Sequence, residues 1–155
     1  MHRIQTFCRH SIVPIDVVLA TIEAALSSRD RSGIPRPKKL RVEINGVNVG
    51  VGSLRLQTFL YKGTTCIACG VKATYFAIER DTASEVNDRP YHLNLWGVKD
   101  DGEPVLFTHD HTLARSLGGK DRLSNTETMC CFCNWEKGER EQIEKNNLTL
   151  EKSVD

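Results

Sequence analysis

Two Cys-x-x-Cys pairs constrain the fold of this chain more than any other feature. Cys66 and Cys69 form the first pair, and Cys130 and Cys133 form the second. A two-residue spacer lets both sulfurs of a pair bind one metal ion, so together the pairs offer the four thiolates of a structural Zn²⁺ site. The 60 residues between them, 70–129, exceed the roughly 15–20 of a compact zinc ribbon. We therefore predict that zinc joins two distant segments and that the chain between them is itself folded.

The six cysteines have other readings, which the rest of the sequence disfavours. Disulfides would suit a secreted protein, and redox pairs would suit a thioredoxin-like fold. The chain shows neither a secretory leader pattern nor a βαβ context around either pair. It also has no apolar run long enough to cross a bilayer. We expect a cytoplasmic protein with no membrane partner, in which Cys8 and Cys131 are partly buried thiols outside the zinc site.

The net charge of +1 conceals an uneven distribution. Residues 1–63 carry ten Lys and Arg against four Asp and Glu, whereas residues 64–155 carry eleven against sixteen. A basic first third is typical of proteins that bind a polyanion. A solvated face without a partner would give the same count, so charge alone leaves both interpretations open.

Local patterns predict several helices and hairpins along the chain of 155 residues. In the first half, a helix with one apolar face is predicted at residues 14–28 and a basic linker at 29–39. A hairpin around Asn45-Gly46 is predicted at residues 40–51, and a helix capped by Ser53 at 53–63. In the second half, a strand is predicted at residues 75–79 and a hairpin at 91–109. A loop is predicted at residues 113–125, and a polar helix at 134–146.

An ordered set of polar and small residues lies between and beside the cysteines. It reads Asp110-His111, Arg115, Gly118-Gly119, Asn125, Cys130-x-x-Cys133, Asn134 and Lys137-Gly138. This order resembles the core of HNH endonucleases, in the zinc-knuckle branch similar to phage-encoded enzymes, and the resemblance covers about residues 66–138. It implies an α+β fold with a ββα-metal, treble-clef-like core and a structural zinc, here preceded by a small helix and hairpin extension.

The resemblance also implies a role for each polar residue. His111 is the general base that activates a water molecule, and Asn125 orients it through the loop backbone. Asp110 and Asn134 supply the oxygen ligands that a catalytic Mg²⁺ or Mn²⁺ prefers. Arg115 contacts a phosphate or steadies the transition state.

Two departures from the family pattern and two further histidines bear on these assigned roles. Asn134 stands where the family commonly has His, and it keeps an oxygen ligand, while Ala114 stands where Pro is common. His109 shares a strand face with His111 if the strand runs through both, which makes it a rival base. His92 lies on the facing strand, and for it we favour a structural role.

The leading hypothesis is a divalent-metal-dependent endonuclease that nicks or cuts DNA. Its nuclease domain is predicted at residues 54–146, after a basic extension at 1–53 and before a flexible tail at 147–155. Weak contacts to the DNA backbone are expected from basic side chains, namely Arg36, Lys38, Lys39, Arg41 and Lys137. The alternatives are a catalytically silent, zinc-stabilised nucleic-acid-binding module and an RNA-directed nuclease. A phage-encoded enzyme of this kind would act in the host cytoplasm, and the sequence leaves monomer and dimer both open.

Overall fold

The computed structural model describes residues 6–28, 40–82 and 89–151, and within them helices and strands are mixed along the chain. The strands are β1 (Phe7–Val13), β2 (Arg41–Ile44), β3 (Val47–Gly50), β4 (Ala73–Asp81), β5 (His92–Val98), β6 (Pro104–His111) and β7 (Thr126–Cys130). The helices are α1 (Ile15–Ser27), α2 (Leu54–Lys62) and α3 (Cys131–Glu151). The predicted α+β class is confirmed, and β6, β7 and α3 are the consecutive ββα unit that the resemblance implied.

The helix and hairpin signals in the first half of the chain are confirmed by the local geometry. The hairpin turn places Asn45 at φ 51° and Gly46 at φ 78°, the left-handed conformation that an Asn-Gly turn supplies at low cost. The Ser53 hydroxyl accepts a hydrogen bond from the backbone N–H of Leu56 at 3.3 Å, so it caps α2 as predicted. α2 ends at Gly63, whose φ of 90° no other residue adopts easily.

Five strands form one antiparallel sheet in the order β1-β4-β5-β6-β7, and β2 and β3 form a separate hairpin. β6 changes partner along its length, because Pro104–Leu106 pair with β5 whereas Phe107–His111 pair with β7. The end of β6 therefore extends past β5. This arrangement brings Asp110 and His111 to the rim of the sheet, beside the start of α3.

Three features of the fold differ from the sequence prediction or extend it. β1 was not predicted; it pairs with β4, in a register that joins Phe7 to Asp81. The predicted extension and the predicted nuclease domain thus share one sheet, although their division at residue 53 stays a prediction. α3 begins at Cys131 rather than at residue 134, and it runs through 147–151, which were assigned to the tail.

The core lies between α1, α2 and the inner face of the sheet. Its largest fully buried side chains are Phe59 of α2, Phe76 of β4 and Phe107 of β6, with Ile22 of α1 beside them. Burial of each such aromatic or aliphatic side chain contributes about 1.5–3 kcal/mol. Because Phe107 is only a few residues from His111, the core fixes the strand that carries the candidate site. Within the described ranges, no helix has the length and apolar character needed to span a membrane.

Candidate active site

The four cysteines of the two pairs come together in the structure. Cys66 and Cys69 lie in the turn between α2 and β4, Cys130 ends β7, and Cys133 lies in the first turn of α3. Their Sγ atoms all lie within 4.8 Å of one another. Neither Cys8 nor Cys131 belongs to this group, as the spacing predicted.

Backbone hydrogen bonds hold the first cysteine pair against β7. The N–H of Gly70 donates to the carbonyl of Cys66 at 3.0 Å, and the N–H of Ile67 donates to that of Thr128 at 2.9 Å. The Cys130 N–H also donates to Cys66 Sγ at 3.3 Å. The sulfur positions are therefore set by backbone contacts as well as by the side chains.

The donor set and its spacing fit a zinc ion. A tetrahedral ion with Zn–S bonds of about 2.3 Å places its sulfurs about 3.8 Å apart, and the Cys69 and Cys130 Sγ atoms are 3.8 Å apart. Burial raises the pKa of the Cys130 thiol to about 11 and also raises the pKa of Cys133. At Cys66 burial acts the same way, but backbone N–H groups led by that of Cys130 outweigh it and lower the pKa to about 7. A bound cation would ionise all four thiols, so these cysteines can hold a metal such as zinc.

A cleft of about 590 Å³ lies beside the cysteine cluster, at the end of β6. Four of the residues predicted to act in catalysis line it, namely Asp110, His111, Arg115 and Asn134. It is completed by Leu54, His109, Ala114, Asp121 and Glu141. Glu141 was not predicted from the sequence as a cleft residue. Glu141 lies on α3 one turn after Lys137 and two turns after Asn134, and this spacing places all three on one helix face.

Lys137 of α3 contacts the end of β6, beside the residues that line the cleft. Its ammonium group donates to Asp110 Oδ2 and, at 2.8 Å, to the backbone carbonyl of His111. It also forms an ion pair with Glu141 at 3.6 Å. The Asp110 carboxylate, only 14% exposed, thus already has a cation beside it.

Asn125 does not line the cleft, but it fixes the loop that follows His111. Its side-chain oxygen accepts from the Leu113 N–H at 2.9 Å, and its amide nitrogen donates to the carbonyls of Leu113 and Lys120, both at 3.1 Å. Its backbone carbonyl accepts from Thr112 N–H at 3.0 Å. These four bonds tie together the two arms of the loop 112–125, in keeping with the positioning role that the resemblance implied.

His111 makes a contact that the sequence did not predict. Its Nε2 atom lies 2.7 Å from Asp121 Oδ1, and the side chain is 15% exposed. The hydrogen bond to His111 holds the pKa of Asp121 below its ordinary value. Arg115 Nη1 lies 3.9 Å from the other oxygen of the same carboxylate. No sequence pattern singled out Asp121, because this contact depends on how the loop 112–125 folds back on the end of β6.

The other two histidines considered as alternatives differ in position. His109 shares a face of β6 with His111, as expected, and their ring centroids are 5.4 Å apart. Burial, and secondly the charge of His111, lower the pKa of His109, whose buried Nδ1 has no hydrogen-bond partner among the described residues. His92 begins β5 opposite Glu79 and does not line the cleft.

The predicted DNA-contacting residues are only partly within the described ranges. Arg36, Lys38 and Lys39 lie outside the described residues. Arg41 begins β2, where its guanidinium donates to the side chain of Asn48 at 2.8 Å and to its carbonyl at 2.7 Å. It is exposed, but these bonds direct it across its own hairpin.

Comparison with known proteins identifies one segment of the chain. A family model described as HNH endonuclease matches residues 97–140, from the end of β5 into α3. The match includes the cleft residues Asp110, His111 and Asn134, the loop residue Asn125 and the second cysteine pair, whereas the first pair precedes it. No curated protein and no solved structure matches the chain.

Proposed function

We propose that the protein is a divalent-metal-dependent endonuclease that hydrolyses DNA phosphodiester bonds, on the premise that residues 97–140 match the family model of HNH endonucleases. The family implies a nuclease; the substrate, the metal ions and the roles of individual residues are our inference.

The observation that carries the proposal is the convergence of three groups on one cleft. Asp110 and His111 reach it from the end of β6, and Asn134 reaches it from the first turn of α3. His111 and Asn134 thus line the same cleft although they are 23 positions apart in the sequence. A binding module without catalysis has no need for an imidazole, a carboxylate and an amide oxygen at one point.

Hydrolysis of a phosphodiester requires an activated water and neutralisation of charge on the phosphate. His111 takes the proton of the attacking water, since a neutral imidazole carries one basic ring nitrogen. Asp110 and Asn134 would hold Mg²⁺ or Mn²⁺, which supplies Lewis-acid stabilisation of the phosphate and leaving oxygen when bound. Arg115, which is 71% exposed, is free to swing towards a phosphate oxygen on substrate binding.

The cysteine cluster acts as a structural support in this proposal. A closed site of four thiolates has no open coordination position, so zinc there does not take part in hydrolysis. Cys133 immediately precedes Asn134, and Cys130 ends the strand that pairs with β6. Zinc binding would therefore set the distance between the strand that carries His111 and the helix that carries Asn134.

The test uses the full chain loaded with zinc and a supercoiled plasmid. We expect conversion to nicked or linear DNA in Mg²⁺ or Mn²⁺, and none after a chelator removes the divalent ion. A single-stranded RNA of similar length is incubated in parallel. Cleavage of RNA alone would refute DNA as the substrate, and salt-sensitive DNA binding without cleavage in any divalent metal would refute the enzymatic proposal.

A further inference from the structure

The Asp121 carboxylate lies in a place where electrostatics alone would disfavour it. It lines a cleft that, under the proposed function, receives a polyanion, and its side chain is 61% exposed. A negative charge at this point repels phosphate groups. Among the described residues, its hydrogen bond joins it to His111 and its ion pair joins it to Arg115. Both partners are themselves candidate catalytic groups.

The loop geometry sets the position of this carboxylate. Asn125 holds the carbonyl of Lys120, the residue before Asp121, at 3.1 Å. Gly119 donates from its N–H to the carbonyl of Ala114 at 3.0 Å. A Cβ atom on Gly119 would lie 1.8 Å from the Leu113 carbonyl oxygen, so the two arms of the loop approach as closely as glycine allows. The fold thus specifies where Asp121 stands relative to His111.

The charge state of Asp121 determines the direction of its hydrogen bond. An ionised carboxylate only accepts hydrogen bonds. The proton between the two groups must therefore be carried by Nε2 of His111, which leaves the lone pair on Nδ1. In the Nδ1–H tautomer, Nε2 of His111 and Oδ1 of Asp121 would be two hydrogen-bond acceptors only 2.7 Å apart.

We propose that Asp121 is the positioning residue for His111, holding the imidazole in the Nε2–H tautomer so that Nδ1 accepts the proton of the attacking water. The inference rests on the proposed function and names the atom that acts in it. Asp121 itself does not touch the reacting atoms.

The proton and electron balance of the step is simple. A water O–H bond breaks as Nδ1–H forms, and the oxygen forms a bond to phosphorus. The phosphorus–oxygen bond to the leaving strand then breaks, its electron pair stays on the leaving oxygen, and that oxygen is protonated from solvent. Asp121 keeps its negative charge throughout and stabilises the imidazolium that forms beside it.

The test compares Asp121→Asn with Asp101→Asn in the zinc-loaded full chain. Asp101 is an exposed carboxylate in the turn between β5 and β6, outside the cleft, so it controls for the loss of one negative charge. Asp121→Asn is expected to lower kcat for plasmid cleavage about 10- to 100-fold without raising KM, because a negative charge has been removed from a polyanion-binding cleft. Asp121→Glu, which keeps the carboxylate, is expected to recover most of the rate, and Asp101→Asn is expected to match the wild type.

A second measurement reads the tautomer without reference to activity. Nitrogen-15 NMR of the histidine rings distinguishes Nε2–H from Nδ1–H, and the His111→Ala spectrum assigns the signal. Nε2–H in the wild type and a mixture of tautomers in Asp121→Asn support the proposal. Nδ1–H in the wild type, or identical spectra for the two proteins, overturns it.

The two proposals fail in distinguishable ways. If the wild type cleaves no nucleic acid, the proposed function is wrong, and the NMR spectra still decide the relation between Asp121 and His111. If the wild type cleaves DNA and Asp121→Asn has an unchanged kcat, or loses activity only through KM, the positioning role is wrong and the nuclease proposal stands.

Discussion

Gly119→Ala perturbs the loop of the candidate active site at its closest approach. The added Cβ would lie 1.8 Å from the Leu113 carbonyl oxygen and 2.9 Å from that of Ala114, whereas real Cβ contacts stay above 3.0 Å. Both obstacles are backbone atoms, so no side-chain rotation relieves them. Gly119 is not among the glycines with positive φ, and the close approach alone therefore requires glycine here.

The expected effect follows from the size of the overlap. The two arms of the loop must separate by more than an ångström, which breaks the bond from the Gly119 N–H to Ala114 and strains that from Asn125 to Leu113. His111 lies before this point in the chain and Asp121 after it. A misplacement of about 1 Å costs about 100-fold in rate, and we expect that loss in kcat. Overpacking of this kind costs about 1–3 kcal/mol, or a fall in Tm of roughly 2–10 °C.

The assay measures initial rates of plasmid nicking at saturating metal, together with thermal unfolding. Gly50→Ala is the control, because its Cβ would make only an ordinary 3.7 Å contact with the Arg41 side chain, at the end of β3 and outside the residues that line the cleft. We expect the control to keep wild-type activity and Tm. A Gly119→Ala protein that nicks DNA within threefold of the wild-type rate would refute the argument that the loop geometry positions the catalytic groups.

Two further substitutions test the structural supports. Cys69→Ser is expected to lower bound zinc well below one ion per chain and to lower Tm, whereas Cys8→Ser is expected to keep the zinc content and Tm of the wild type. Elemental analysis and thermal unfolding measure these two quantities. Equal zinc content in Cys69→Ser and Cys8→Ser would contradict the four-cysteine site. Glu79→Ala removes a carboxylate that is 1% exposed and leaves the side-chain N–H donors of Asn94 and Trp96 without their acceptor, so it is expected to cost about 1–3 kcal/mol for each of these donors in chemical denaturation. Glu127→Ala, from an exposed pair, is expected to cost at most about 1 kcal/mol; equal losses in the two variants would contradict the burial argument.

Short-range patterns in the sequence predicted much of the fold. The Asn45-Gly46 turn, the Ser53 cap and the x-x spacing of the cysteines are encoded by neighbouring residues and were all found in place. β1 was missed because its partner β4 lies about seventy positions away in the register from Phe7 to Asp81. Its sequence, which includes Arg9 and His10, also lacks a continuous apolar pattern. Long-range pairing of this kind leaves little local signal.

The candidate site was predictable as a set of residues but not as a set of contacts. The resemblance named Asp110, His111 and Asn134, and the cleft contains all three. The hydrogen bond from His111 to Asp121 and the contact from Lys137 to Asp110 depend on how a loop and a helix meet the end of β6. Side-chain distances of this kind are set by the tertiary fold, and the sequence does not state them.

The proposed role of His111 is tested most directly by comparing the wild type with His111→Ala on one plasmid, under single-turnover conditions in Mn²⁺. Loss of a general base is expected to slow cleavage by at least about 100-fold, while DNA affinity and zinc content stay unchanged. His10→Ala, a histidine exposed on β1, should cleave at the wild-type rate. Equal cleavage rates for the wild type and His111→Ala would contradict the proposed mechanism.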